Sequence, residues 1–130
     1  MFELEHHDVW RKTDRKRGFG IEIRRAPFTG NENVWCLYAM IAKRHPLFSR
    51  FTDDTLDSAG EDIFDWHGGV TYAEWEFRKK EIAGVKIGCD YLHDMDDQYR
   101  NSTRLEDNCL INDARRLYEA LESYCTEKKP

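Results

Sequence analysis

The apolar positions along this chain change period once, and that change divides it. Phe19, Ile21 and Ile23 alternate with Gly20, Glu22 and Arg24, the spacing of a strand with one wet face. Residues 25–33 contain Pro27, Gly30 and Asn31 and read as a loop. The run at 34–42, from Val34 through Ala42, is apolar on both faces, short and bounded by turn residues, which predicts a central strand. Between 70 and 77, Thr71, Ala73, Trp75 and Phe77 fall on one side, with Val70, Tyr72, Glu74 and Glu76 on the other. Val85, Ile87 and Cys89 then alternate, so the two runs pair as a hairpin through a turn at 78–81. From Leu110 the period becomes that of a helix: Leu110, Ile111, Ala114, Leu117, Tyr118, Leu121, Tyr124 and Cys125 share a face. Asp107 or Asn108 can cap its start, and Lys128 and Lys129 suit the negative end of its dipole.

These elements predict an α+β fold, a small mainly antiparallel sheet packed against a long C-terminal amphipathic helix. The length of 130 residues suits one domain over 1–130. Residues 1–17 are a polar start expected to be partly mobile, and 43–69 read as a long irregular surface connection with one helical turn around 53–56. A hydrophobic fraction of 40% supplies a core. No apolar run approaches a membrane span and the first residues lack a secretory pattern, so a cytoplasmic protein is expected. Cys36, Cys89, Cys109 and Cys125 lack paired spacing and read as buried free thiols of a reducing compartment.

The formal net charge of -5 argues against general nucleic-acid binding, which depends on Lys and Arg displacing counterions. The charge is uneven. Arg11, Lys12, Arg15, Lys16 and Arg17, followed by Arg24 and Arg25, form a basic stretch that could hold an anion. Asp53, Asp54, Asp57, Glu61, Asp62 and Asp65 make the middle acidic.

Chemistry gathers in two segments beside predicted strand ends, the address of many sites. One holds Trp66, His67, Gly68 and Gly69, where the glycines allow a sharp turn or close approach of a ligand to bare backbone. The other holds Asp90, His93 and Asp96 at a three-residue spacing. With His67 arriving from the first loop, Asp90, His93 and Asp96 could ligate a divalent metal ion through carboxylates and imidazole. Alternatively, Asp90 could fix the tautomer of His67 or His93 for acid-base work. Trp35, Trp66 and Trp75, with Tyr38, Tyr72 and Phe77, could line a groove that stacks a flat ligand such as a nucleobase, and Trp66 stands out because it lies in a polar loop beside His67. His45, held extended by Pro46, either caps the central strand or points into the same pocket.

The order His45-Pro46-Leu47-Phe48, His67-Gly68-Gly69-Val70-Thr71-Tyr72 and Gly88-Cys89-Asp90-Tyr91-Leu92-His93-Asp94-Met95-Asp96 resembles a group of small uncharacterised tailed-phage and prophage proteins. Cys89 stands where that group shows an aromatic residue, and Asp94-Met95 replaces a small pair. The resemblance implies a phage accessory protein of the bacterial host cytoplasm. Its expected partner is a host protein or a nucleotide-like small molecule, bound through Trp66, His67, Gly68, Gly69, Asp90, His93 and Asp96. A small metal-dependent hydrolase using His67, Asp90, His93 and Asp96 is the competing expectation, and an exposed aromatic strand edge would favour a homodimer.

Overall fold

The computed structural model describes residues 2–6, 9–27, 33–91, 99, 104–105 and 109–126. Six strands form one antiparallel sheet: β1 (Glu5–His6), β2 (Trp10–Asp14), β3 (Phe19–Pro27), β4 (Asn33–Ala42), β5 (Tyr72–Arg78) and β6 (Glu81–Asp90). Their spatial order is β1-β2-β3-β4-β6-β5. Helix α1 (Leu110–Thr126) packs on β3 and β4. The expected α+β architecture is therefore present, as is the hairpin between β5 and β6. Among the described residues no helix is long and apolar enough to cross a membrane.

Register explains how one face came to be buried. Phe19, Ile21 and Ile23 of β3 stand opposite Ile41, Ala39 and Leu37 of β4, which in turn face Val85, Ile87 and Cys89 of β6. All are buried. Opposed residues share a face, so the apolar halves of three strands fuse into one surface. Leu110, Ala114, Leu117 and Leu121 of α1 cover one part of it and are fully buried, whereas Ile111, a turn-fraction away, is 38% exposed.

The chain reaches edge strand β5 before returning to the inner strand β6, so the connection after β4 must cross the sheet. It crosses on the same face as α1. It begins with a 3-10 helix (Pro46–Arg50) and buries Leu47, Phe51, Ile63 and Trp66. Gly60 lies so close to the sheet that a Cβ there would stand 2.4 Å from Ile87 Cδ1. The expected surface loop is thus corrected: its backbone is mostly irregular, but its apolar side chains share in covering the sheet.

Three other expectations change. Trp10–Asp14, read as part of a polar start, is a strand paired with β3 along its whole length. Beyond Trp10 its inner side chains are polar: Lys12 lies over the Tyr118 ring, 5.2 Å from the centroid, and Asp14 binds Arg17. Residues 25–27 extend β3 rather than opening a loop. Cys36, Cys89, Cys109 and Cys125 are free thiols, but only Cys89 is buried and Cys109 is exposed. The proposed caps Asp107 and Asn108, and Lys128 with Lys129, lie outside the described residues.

Two polar groups hold this arrangement. His45 is buried, and its Nδ1 accepts the Leu47 N–H at 3.1 Å. That leaves the proton on Nε2, which donates to the Leu121 carbonyl at 2.9 Å. One imidazole thereby caps the 3-10 helix and clamps it to α1, so His45 caps the helix after the strand and not a pocket. On the opposite face Glu22 is only 2% exposed although it sits on the side expected to be wet. Arg11 at 2.7 Å, Arg24 at 3.1 Å and Lys86 at 3.1 Å surround its carboxylate. Burial pushes its pKa up, but those three cations outweigh it and hold the carboxyl below its ordinary value.

Burial holds the folded His45 pKa below its ordinary value. The unfolded chain takes that proton near pH ~6.5. The clamp's contribution is then complete above about pH 6.5 and falls as the pH drops towards the lowered folded value. In urea titrations, His45→Ala should lower stability at neutral pH by about 2–3 kcal/mol and remove this part of the acid-side loss. Glu22→Gln should cost about 1–2 kcal/mol, held small because the half-exposed Arg11 and Arg24 can turn to water.

Candidate functional site

Trp66 is a core residue. It is 6% exposed, its indole N–H donates to the Gly60 carbonyl at 2.8 Å, and its ring meets Phe64 edge-on. The expected stacking surface in a polar loop is therefore corrected: the ring serves the cover over β6. Gly68 and Gly69 adopt φ of 73° and 89°, and the Gly69 N–H closes a turn on the Trp66 carbonyl at 3.1 Å. Only residues without a Cβ take both angles freely, which accounts for the pair.

This turn delivers His67 onto Tyr91. The rings stack at 4.3 Å and 16°, with Tyr99 packed edge-on against His67 at 5.7 Å. The Tyr91 hydroxyl donates to Asp113 Oδ2 of α1 at 2.7 Å. Burial and the carboxylate of Asp113 push the Tyr91 phenol well above its ordinary pKa. Burial also raises the Cys89 thiol to about 12, against hydrogen bonds with the His67 backbone and Tyr91 that lower it. Neither group ionises near neutral pH, so neither is a ready nucleophile or base. What the described part of this cluster does is tie the 66–70 turn, the end of β6 and α1 together.

Asp90 stands elsewhere. It is opposite Cys36 in the β4–β6 register and accepts from Thr71 Oγ1 at 3.3 Å. Side chains alternate along a strand, so Asp90 leaves β6 on the face opposite Cys89 and Tyr91, the face opposite the His67 stack. His93 and Asp96 lie outside the described residues. Among the described residues no three His, Cys, Asp or Glu side chains are grouped so that they could hold a metal ion.

The basic stretch is redistributed by the fold. Arg11 and Arg24 neutralise Glu22, Lys12 covers aromatic rings, and Arg17 is held by Asp14 and by Glu122 of α1, each at 2.7 Å. Arg15 and Lys16 remain in the β2–β3 turn. Antiparallel pairing brings that turn beside the end of β4 and the β5–β6 turn: Ala42 N–H donates to the Gly18 carbonyl at 2.9 Å, and Lys43 N–H to the Ala83 carbonyl at 3.2 Å. One end of the sheet therefore presents Arg15 and Lys16, Lys43 and Arg44, and Arg78, Lys79 and Lys80, all exposed. None of the seven forms an ion pair with a described residue; Arg44 donates to the Arg15 carbonyl. The carboxylates near them are Asp14, engaged by Arg17, with Glu76 and Glu81.

Lys79 and Lys80 sit at φ of 52° and 70°. Both angles are left-handed, the requirement of the two-residue hairpin turn usually met by Asn-Gly. Each costs an ordinary residue roughly 1–2 kcal/mol, so two lysines here are held against the backbone's preference. Between the turns lies a cleft of about 220 Å³ lined by Arg15, Arg44 and Arg78 together with Asp14 and Glu76. Two other clefts, of about 290 Å³ and 410 Å³, lie beside Glu3 and Arg11, and beside Arg50 and Asp62. None of the three is lined by Trp66, His67, Gly68, Gly69 or Asp90. Sequence reading found the start of the basic cluster but not its partners, which lie far along the chain and join only through strand order.

No protein-family model, curated protein or solved structure matches this chain.

Under native conditions iodoacetamide should modify Cys109 first, with Cys89 reacting only on unfolding; peptide mass spectrometry distinguishes the sites. Tyr91→Phe removes the Asp113 bond and should lower the denaturation free energy by about 1–2 kcal/mol while keeping the fold.

Proposed function

We propose that this protein is a non-catalytic accessory protein that captures a phosphate-bearing polyanion on the basic end of its sheet. The observation that carries this reading is the convergence of seven exposed Lys and Arg residues from three turns in a chain of net charge -5. Like charges so gathered repel one another, and a partner with multiple negative charges relieves that repulsion. The cleft between Arg15, Arg44 and Arg78 supports it further, because guanidinium groups around a concave surface can each donate in parallel to phosphate oxygens.

The described groups of the His/Asp/Gly cluster favour binding over turnover in this reading. Trp66, Cys89 and Tyr91 are spent on packing, and Asp90 starts from the other face. The setting we propose is that of the resemblance: a phage or prophage accessory factor in the bacterial cytoplasm, acting on host machinery by occupying a charged partner.

Calorimetry with inorganic polyphosphate tests the reading. Binding should be measurable at low ionic strength and should weaken linearly in log K against log salt. The triple variant Arg15→Glu, Arg78→Glu, Lys79→Glu should lose at least about tenfold in affinity, while Asp90→Asn binds as the unaltered chain does. Absence of binding at low salt, or a triple variant that binds normally, would overturn the proposal.

A further inference from the structure

An exposed aromatic residue adjoins the basic end. Phe77 is 65% exposed, while the other large aromatic side chains of β5, Tyr72 and Trp75, are partly buried. The reason is local. Between Glu76 and Phe77 the pairing of β5 with β6 slips, so that Glu76 faces Gly84 and Phe77 faces Ile82, with Ala83 as the extra residue. The extra residue bends β6, and Phe77 stands beside it near the free end of β5, the outermost strand. Phe77 is followed at once by Arg78, Lys79 and Lys80, so one edge of the molecule offers a bare phenyl ring directly before three cations.

We infer that the polyanion captured at this end is single-stranded nucleic acid, with its phosphates along the row of turns and a base stacked on Phe77; the inference rests on the phosphate-binding reading above. The dimensions suit it. From β2 to β5 the sheet end crosses four strand spacings, about 19 Å, the reach of several consecutive nucleotides of one strand. Glu76 and Arg78 line the cleft of about 220 Å³, so alternation along β5 turns Phe77 to the other face, and the phosphates run over the exposed turns at the sheet end rather than inside the cleft. A duplex suits this end less well. Its bases are stacked on one another and offer no free face to Phe77, and α1, the described helix, is packed against the sheet rather than presented to a groove. Stacking plus phosphate contact reads no base edges, so recognition would be tolerant of sequence; the net charge of -5 argues against such binding by the molecule as a whole, and it is the local gathering of cations at one end that permits it.

Fluorescence anisotropy on the full chain with three probes tests this: a labelled oligothymidylate, an abasic deoxyribose-phosphate oligomer of the same length, and a duplex. The oligothymidylate should bind about tenfold tighter than the abasic strand, and tighter than the duplex. Phe77→Ala should abolish the first difference without weakening the abasic complex or changing the circular dichroism. Arg78→Glu with Lys79→Glu should weaken both single strands. Equal affinity for the base-bearing and abasic strands, or a duplex that binds tighter than the single strand, would overturn the nucleic-acid inference and leave polyanion capture standing. Failure of all three probes together with inorganic polyphosphate would remove both.

Discussion

The structure depends on burying one face of its sheet, and among the described residues helix α1 covers β3 and β4, leaving the apolar face over β6 and β5 to other parts of the chain. The crossing connection solves this by supplying Leu47, Phe51, Ile63 and Trp66 as the missing cover. Helix and connection must then be held side by side, and the buried His45 does this with one nitrogen on each. The Gly68–Gly69 turn and the His67–Tyr91–Asp113 chain complete the closure at the other boundary of the connection. Of the residues that look like a reactive cluster in sequence, Trp66, His67, Gly68 and Gly69 lie at the seam between the two covers, while Asp90 leaves the sheet on the other face.

Among the described residues no element packs on the opposite face, and its chemistry follows from that. Glu22 is buried there by its own ion pairs rather than by apolar residues. Tyr38 and Tyr72 meet edge-on at 5.2 Å and Lys86 lies over Tyr38. Cations on this face are matched by a carboxylate. Cations at the sheet end form no ion pair with a described residue, and the proposed polyanion site rests on that contrast rather than on the number of basic residues.

Elements whose signal is local were legible in the sequence. β3, β4, the β5–β6 hairpin and α1 each carry their period within a few residues, and each lies close to where the pattern puts it. β2 was hidden because Lys12 and Asp14 occupy its inner face, their burial made tolerable by rings and by Arg17 that only the fold supplies. The connection's core residues were hidden because their spacing answers to the shape of the sheet and has no period. For the site, proximity along the chain misled in both directions. It grouped Arg11 with Arg17, which the fold sends to different partners, and it could not join Arg15 to Arg44 and Arg78, which strand order makes neighbours. His67 and Asp90 were rightly placed at a turn and a strand end, but alternation along β6 gives Asp90 the opposite face from Tyr91.

Amide chemical-shift mapping on isotope-labelled protein, titrated with inorganic polyphosphate, reports where an anion lands without altering a residue. Perturbations should concentrate at Arg15, Lys16, Lys43, Arg44, Lys79 and Lys80, leaving Gly68, Gly69 and Asp90 still. Perturbations confined to the 66–70 turn and the end of β6 would contradict the account and return the binding site to the His/Asp/Gly cluster.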